Sequence, residues 1–344
     1  MNNISLSFCI PTYNRAEIVY QNILNILACP DIDIEVVVLD NGSTDTTIEL
    51  LNKIKDKRLS VYENGENRGV LFNILHAVDK GRGKYLVFST DKDRFHSDVI
   101  SSFRSFLMAQ ANLAAGYCEY NSVSLNEYDC FPKGVLAVKA IAYMARHPTG
   151  YFFNNNLLKS INLVERFSDY NIVDTFPFDF AFAELCLLGD GYIYNPNLIT
   201  PESGATAAKI KSFGTDGSKK DAFFSPDSRL RMAVNFSWHI HTLKISQKEK
   251  TDLIIGVFIR GLLGATIGYR AILKNTDLCE HYCMPSRTVK NGEILNFGIT
   301  YIISFFKKTN TIWGTSFCEK ITFFKNIIYY IVKKIFIKVR KCVK

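Results

Sequence analysis

The stretch Tyr85-Leu-Val-Phe-Ser-Thr-Asp-Lys-Asp93 constrains this chain most. It is an apolar run of strand type that ends abruptly in two carboxylates, Asp91 and Asp93. The aromatic and branched residues from Tyr85 to Phe88 suit a strand covered on both faces of a parallel sheet, and ligands of open α/β sheets bind beyond the carboxyl ends of such strands. Two like charges one residue apart repel. A divalent cation held by oxygen ligands would stabilise both and would also neutralise a diphosphate, which points to Mg²⁺ or Mn²⁺. An Asp-x-Asp by itself also describes a solvated loop, so the surrounding pattern has to decide.

That pattern is an alternation of strand, polar turn and helix. Leu6-Ser-Phe-Cys-Ile10 is a short strand stopped by Pro11-Thr-Tyr-Asn-Arg15, after which Val19, Ile23, Ile26 and Leu27 recur at helical spacing, with Asn14 and Glu17 predicting the helix start. Ile34 to Leu39 repeats the arrangement, ended by Asp40-Asn-Gly-Ser-Thr-Asp45 and followed by a helix marked by Ile48, Leu51 and Ile54. A third strand, Leu59 to Tyr62, leads into Glu63-Asn-Gly-Glu-Asn-Arg-Gly69, a helix through Ile74 and Val78, and the strand ending at Asp91. Such alternation predicts an α/β fold with a mostly parallel central sheet and crossover helices. The polar turns after successive strands must then gather along one edge. This brings Pro11 to Asn14, Asp40 to Ser43 and Asp91 to Asp93 together in space.

The segments Phe8-Cys-Ile-Pro-Thr-Tyr-Asn-Arg15, Val37-Val-Leu-Asp-Asn-Gly-Ser-Thr-Asp45, Asn67-Arg-Gly69 and Asp91-Lys-Asp93, in this order and spacing, resemble the inverting family 2 glycosyltransferases of the GT-A fold. The resemblance covers residues 4 to 100 and is looser to about 200. It implies that Pro11, Thr12 and Asn14 border a nucleotide and that Asp40 accepts a hydrogen bond from a uracil-type base. It places Asn67, Arg68 and Gly69 under the base and ribose, Asp91 near the ribose and metal, and Asp93 on the metal directly. At Lys92, where the family often has an acid or a small residue, the ammonium either contacts a phosphate or points to solvent, and solvent is the preferred reading. Asp40 and Asp45 also read as a turn residue and a helix cap.

Beyond residue 100 the periodicity weakens. His147-Pro-Thr-Gly-Tyr-Phe-Phe-Asn-Asn-Asn156 combines a turn with aromatics and amides, which reads either as a sugar-stacking surface or as a loop running into a helix at Leu157. Asp174-Thr-Phe-Pro-Phe-Asp179 opens a helical pattern through Phe182, Leu185 and Cys186, closed by Gly189-Asp-Gly191 and followed by Tyr192-Ile-Tyr-Asn-Pro196. In the family an acid in this place is the general base. The resemblance gives that role to Asp179, with Asp174 as the alternative; the family's usual Glu-Asp is Phe178-Asp179 here. Gly204 to Asp227, rich in Gly, Ser, Lys and Asp, reads as a mobile loop. A lid over the donor diphosphate, with Lys209, Lys211, Lys219 or Lys220 supplying charge, is a second reading of that loop. Residues 230 to 316 read as mostly helical, with His239 and His241 as core or surface residues.

The 344 residues, 47% hydrophobic and 22% charged, suffice for a globular enzyme. Nine scattered cysteines argue for a reducing cytoplasm, and Cys279-Glu-His281-Tyr-Cys283 lacks the second ligand pair of a metal site. Asn2 to Ile10 reads as a strand rather than as a secretory signal. Leu253 to Gly268, interrupted by Arg260, and Phe297 to Phe306 fall short of the roughly 18–20 residues of a spanning helix. Residues 320 to 344 carry seven Lys and one Arg with no acid, and the remaining residues balance at 33 basic against 33 acidic. Ile321, Phe324, Ile328, Ile331, Ile335 and Val339 form one stripe of this tail, which predicts a basic amphipathic helix on an anionic membrane surface. Nothing in the body of the chain supports a nucleic-acid partner.

The sequence therefore predicts a nucleotide-sugar-binding half at 1–115, an acceptor-binding and catalytic half at 116–229, a helical region at 230–316 and a membrane-associating tail at 317–344. With the resemblance it implies an inverting, metal-dependent transferase that moves a sugar from a UDP-type nucleotide donor to a lipid-linked saccharide of O-antigen or capsule assembly. Its expected place is cytoplasmic, on the inner face of a bacterial inner membrane. The alternative is a catalytically silent nucleotide-sugar-binding or scaffold subunit. A nucleotidyltransferase would want a glycine-rich basic loop near its first strand, which Pro11 to Arg15 is not.

Overall fold

A computed structural model describes residues 4–120, 122–168, 177–202, 224–281, 284–312 and 325. The chain divides into two compact units, Met1–Ile210 and Lys211–Lys344.

The first unit is built on eight strands, β1 (Leu6–Thr12), β2 (Ile34–Asp40), β3 (Leu59–Glu63), β4 (Tyr85–Phe88), β6 (Leu113–Cys118), β7 (Tyr128–Phe131), β8 (Tyr151–Asn154) and β9 (Asp190–Tyr194). They lie in the order β3-β2-β1-β4-β8-β6-β9-β7, and β5 (Arg94–Phe95) pairs separately with β10 (Ile199–Thr200). The first four strands are mutually parallel, as the alternation predicts. β8 runs antiparallel to both β4 and β6, while β9 is parallel to β6 and antiparallel to β7. The helices are α1 (Ala16–Leu27), α2 (Thr47–Leu51), α3 (Val70–Asp79), α4 (Ser97–Ala109), α5 (Val135–Ile141), α6 (Asn155–Ser160), α7 (Leu163–Phe167) and α8 (Pro177–Cys186).

Burial explains why β1 and β2 are continuous apolar runs. Phe8 and Ile10 of β1 and Val36 and Val38 of β2 cluster with Val19, Ile23 and Ile26 of α1 and with Phe103 of α4. Cys9, Val37 and Leu39, on the opposite face, are buried as well. Both faces are thus covered, each large aliphatic contributing roughly 1.5–3 kcal/mol. Glu35 is the exception inside β2. Its carboxylate accepts hydrogen bonds from the Ser7 hydroxyl (2.6 Å) and the Arg82 amide (2.7 Å) and pairs with the Arg82 guanidinium at 2.5 Å, so the buried charge is compensated.

The structure departs from the sequence reading in several local places. Asn14 does not cap α1: it has a left-handed φ of 52°, and its side-chain oxygen accepts the Thr44 amide at 2.8 Å, tying the turn after β1 to the turn after β2. Helix α2 ends at Leu51, short of Ile54. Tyr151, Phe152 and Phe153 are not a sugar-stacking surface, because they form β8 in the middle of the sheet and are buried. Asn154 then caps α6, accepting from the amides of Asn156 and Leu157. A run of three aromatics followed by amides carries too little periodicity to distinguish a central strand from a loop.

The second unit is helical where it is described: α9 (Pro226–Thr242), α10 (Gln247–Leu263), α11 (Tyr269–Leu273), α12 (Thr276–His281) and α13 (Asn291–Thr309). A π-helical turn, Gly264–Gly268, joins α10 to α11, so the helix runs unbroken from Gln247 to Leu273. At 27 residues it is long and apolar enough to cross a membrane, unlike the shorter run read from the sequence. Phe258 packs tilted against Tyr301 and edge-on against Phe305, and Gly261 makes room for the Tyr301 hydroxyl, which donates to the Phe258 carbonyl at 3.1 Å. Cys279 is buried, and Cys283, most of the 204–227 loop with its lysines, and the 317–344 tail apart from Lys325 lie outside the described residues.

Candidate functional site

The parallel register sets the site. Thr12 pairs with Asp40 and Asp40 with Glu63, so the ends of β1, β2 and β3 are level, and β4 leads to Asp91 and Asp93 beside them. Three of the turns are joined by amides that the sequence reading did not single out. Asn41 donates to Asn67 Oδ1 (2.9 Å) and accepts from Asn64 (3.0 Å) and from the Arg68 amide (3.0 Å). Asn73 of α3 donates to the carbonyls of Thr12 (3.2 Å) and Leu39 (3.1 Å). Gly42, at a φ of +75°, lies so close to the Glu66–Asn67 backbone that a Cβ would approach Glu66 to 2.6 Å. The signal for this network was the density of Asn in 64–73, but its pairing needed the fold.

Each predicted nucleotide residue lies on this edge. Pro11 is half-buried at the end of β1, next to Thr12. Asp40 is buried, its two oxygens accepting the Ser43 amide (2.7 Å) and hydroxyl (2.5 Å), so it holds the turn after β2 in shape. Gly69 has a φ of +87° and begins α3, with its amide donating to Asn67 Oδ1 at 2.9 Å. The Arg68 guanidinium lies 3.6 Å from the centre of the Phe72 ring, and Phe72 stacks on His76 at 3.8 Å, a planar column along exposed and half-buried positions of α3. Asp45 accepts from the Thr47 amide at 2.9 Å, but it lies one residue before Thr46, which takes the cap position of α2, so it is a turn residue rather than the cap.

The two carboxylates after β4 face different partners. Asp91 accepts from the Thr12 hydroxyl (2.9 Å) and pairs with Arg15 at 2.5 Å. Asp93 is 1% exposed, and Oδ2 takes bonds from His147 Nε2 (2.5 Å), Thr90 Oγ1 (2.5 Å) and Thr149 Oγ1. Its Oδ1 accepts the Glu202 amide at 2.9 Å. Burial raises the Asp93 pKa, but His147 and the two hydroxyls outweigh it and hold the carboxyl well below its usual range. The repulsion that the sequence reading assigned to a cation is therefore met inside the chain by Arg15 and His147. Lys92 does not point freely to solvent: it is half-buried, and burial pulls its pKa down.

Asp179 sits in the first turn of α8, is buried, and accepts the Ala145 amide at 3.2 Å. Asp174 lies outside the described residues. The segment that reaches Asp179 through Ala145 also reaches Asp93 through His147 and Thr149, and it carries positive φ at Tyr143 and Ala145. One strained loop thus ties the two acids. Neither Arg15 nor His147 was assigned a role from sequence.

Residues 7–166, which carry this edge, match the family model described as Glycosyl transferase family 2. An uncharacterised glycosyltransferase of Haemophilus influenzae is 30% identical over 133 residues, which cover 36% of this chain and 53% of that protein. The Escherichia coli UDP-Glc:alpha-D-GlcNAc-diphosphoundecaprenol beta-1,3-glucosyltransferase WfaP is 28% identical over 102 residues, 30% of this chain and 41% of its own. The chain spans about half the length, or less, of these relatives. The fold matches that of S. aureus TarS 1-349 in complex with UDP-GlcNAc, at a TM-score of 0.54 and 15% identity, over 88% of this chain and 92% of that one.

Proposed function

We propose that the chain is an inverting glycosyltransferase that moves a sugar from a UDP-sugar donor to a hydroxyl of a lipid-linked saccharide in bacterial surface polysaccharide synthesis. The observation that carries this reading is the convergence of Thr12, Asp40, Asn67, Arg68, Asp91 and Asp93 on one sheet edge, with Asp179 tied to it by the Ala145–Thr149 loop. The UDP-GlcNAc in TarS and the diphosphoundecaprenol acceptor in the name of WfaP support the donor and acceptor classes.

In this reading Asn67 to Gly69 and the Arg68–Phe72 column receive the base and ribose, and Arg15 and Lys92 put positive charge beside the diphosphate. A divalent metal would be held by Asp93 with Asp91, whose carboxylate oxygens are the donor type that suits Mg²⁺ or Mn²⁺; among the described residues no group of three or more His, Cys, Asp or Glu forms a ready-made site, so a cation would have to displace partners that Asp93 now holds. Such a cation would supply charge neutralisation to the departing diphosphate. Asp179, or Asp174, takes the proton of the acceptor hydroxyl as its oxygen attacks the anomeric carbon from the face opposite the leaving group. The C1–O bond to the diphosphate breaks with inversion. The tail would hold the enzyme on the inner membrane face.

A silent nucleotide-sugar-binding subunit is the competing reading, favoured by the saturation of Asp93 within the chain. Hydrolysis of a panel of nucleotide sugars by the purified protein, with and without Mn²⁺, separates the two. Mn²⁺-stimulated release of UDP from one donor is the expected result. Donor binding without turnover in any condition would favour the silent subunit.

A further inference from the structure

Helix α13 carries more apolar surface than its core needs. Tyr301 and Phe305 form its buried side, while Leu295, Ile299, Ile302 and Ile303, spaced by four, three and one residues, are exposed at 64%, 48%, 36% and 63%. At 100° per residue these four span a single arc of about 100°, adjacent to the buried arc and separate from that of Lys307 and Lys308. The α10 helix and its π-helical turn add Leu263 and Ile267, exposed at 46% and 64%. The two helices meet at Gly298, where a Cβ would lie 3.5 Å from Thr266 and 3.9 Å from Leu262. All six exposed side chains lie close to that crossing along their own helices. Across the most apolar stretch of Gln247–Leu273 only 44% is buried within the protein.

The surroundings favour one occupant. Arg287 and Lys290 precede α13, where Arg287 pairs with Glu293 of its first turn, Lys307 and Lys308 close it, and the chain then runs into residues 320–344 with eight cations and no acid. Positive charge at both ends of an aliphatic strip, continued by a basic segment, complements an anionic lipid surface in both respects: headgroups for the lysines, acyl boundary for the strip. A second protein surface would have no need of the uniform charge.

We infer that this strip is a membrane-docking face of the folded second unit, which lies in the headgroup–acyl boundary and acts together with the basic tail. It deepens the reading of a membrane-bound enzyme and rests on it. The two contributions differ in salt dependence. Attraction of the tail is screened by salt, whereas aliphatic burial is not.

The test uses the full chain and vesicles of phosphatidylcholine with phosphatidylglycerol, sedimented at low and at high salt. The intact protein should bind at low salt and keep a salt-resistant fraction. The triple variant Leu295→Gln, Ile299→Gln, Ile303→Gln should lose that fraction, with a fall of about tenfold or more in partitioning at high salt, and keep the salt-sensitive one. Its folding is checked by its circular dichroism spectrum and melting temperature. Ile303→Trp, tested in parallel, should be quenched by brominated lipid if the strip enters the bilayer. Equal salt-resistant binding by the intact chain and the triple variant, or an Ile303→Trp signal untouched by brominated lipid, would overturn the inference. An intact chain that is a dimer without lipid, and becomes a monomer in the triple variant, would assign the strip to a second copy instead. Absence of a salt-sensitive fraction from the intact chain would overturn the joint action of strip and tail.

Discussion

Nε2 of His147 lies 2.5 Å from Oδ2 of Asp93, in a pocket where the carboxylate also accepts from Thr90, Thr149 and the Glu202 amide. The imidazole is the only one of these groups with an exposed side chain, 36% against 1% for Asp93. It is therefore the partner that a metal or a phosphate can displace at least cost.

Asp93→Asn should lower Mn²⁺-stimulated UDP release by about 100-fold or more, because it removes the charge that holds the cation. EDTA should reproduce the loss in the intact enzyme. His147→Gln should cost about tenfold, since an amide still donates to Asp93. Initial rates against Mn²⁺ concentration give both numbers. Full activity in EDTA would reassign Asp93 to a structural role.

Asp179→Asn keeps the Ala145 contact but removes basicity. Transfer should fall by about 100-fold or more while UDP binding, read by calorimetry, persists. If Asp174→Asn is the inactive variant and Asp179→Asn is not, the base belongs to Asp174.

Gly42→Ala places a methyl against the Glu66–Asn67 backbone at a positive φ. The Asn67–Gly69 turn must shift, so UDP affinity should drop by about tenfold, with a cost to folding of about 1–2 kcal/mol. Unchanged affinity would remove Asn67 to Gly69 from the nucleotide site.

Asp33 pairs with Arg104 and accepts from it at 2.9 Å. Burial pushes the Asp33 carboxyl up, but the bonds from Arg104 and Ser5 prevail and its pKa is lowered. A depressed folded pKa means that the stabilisation is present above the unfolded value of about 3.9 and is lost as pH falls through the folded one. The melting temperature of the intact chain should therefore exceed that of Asp33→Asn at neutral pH, by the equivalent of about 1 kcal/mol, and the gap should close as pH falls below the unfolded value and through the lowered folded one. A gap independent of pH would show that the pair contributes through packing alone.

The residues of the first 93 positions determined the parallel half of the fold by themselves. Phe8, Val37 and Val87 sit in runs too apolar for any strand not covered on both faces, and each run ends in a polar turn, so the turns had to meet at one edge. Those three turns, with Asn67-Arg-Gly69 after β3, carry enough family pattern to imply the nucleotide site. What the tertiary structure decided is how that edge is wired. Asn41 to Asn67, Arg15 to Asp91 and His147 to Asp93 are 26, 76 and 54 residues apart. A hydrogen bond depends on position in space, and no periodicity encodes such a separation. The same reason hid β8, whose short aromatic run is fixed as a central strand only by the backbone groups that β4 and β6 present to it. It also hid the apolar strip on α13, because a hydrophobic helix announces that apolar surface exists, and only packing shows which part of it the protein leaves uncovered.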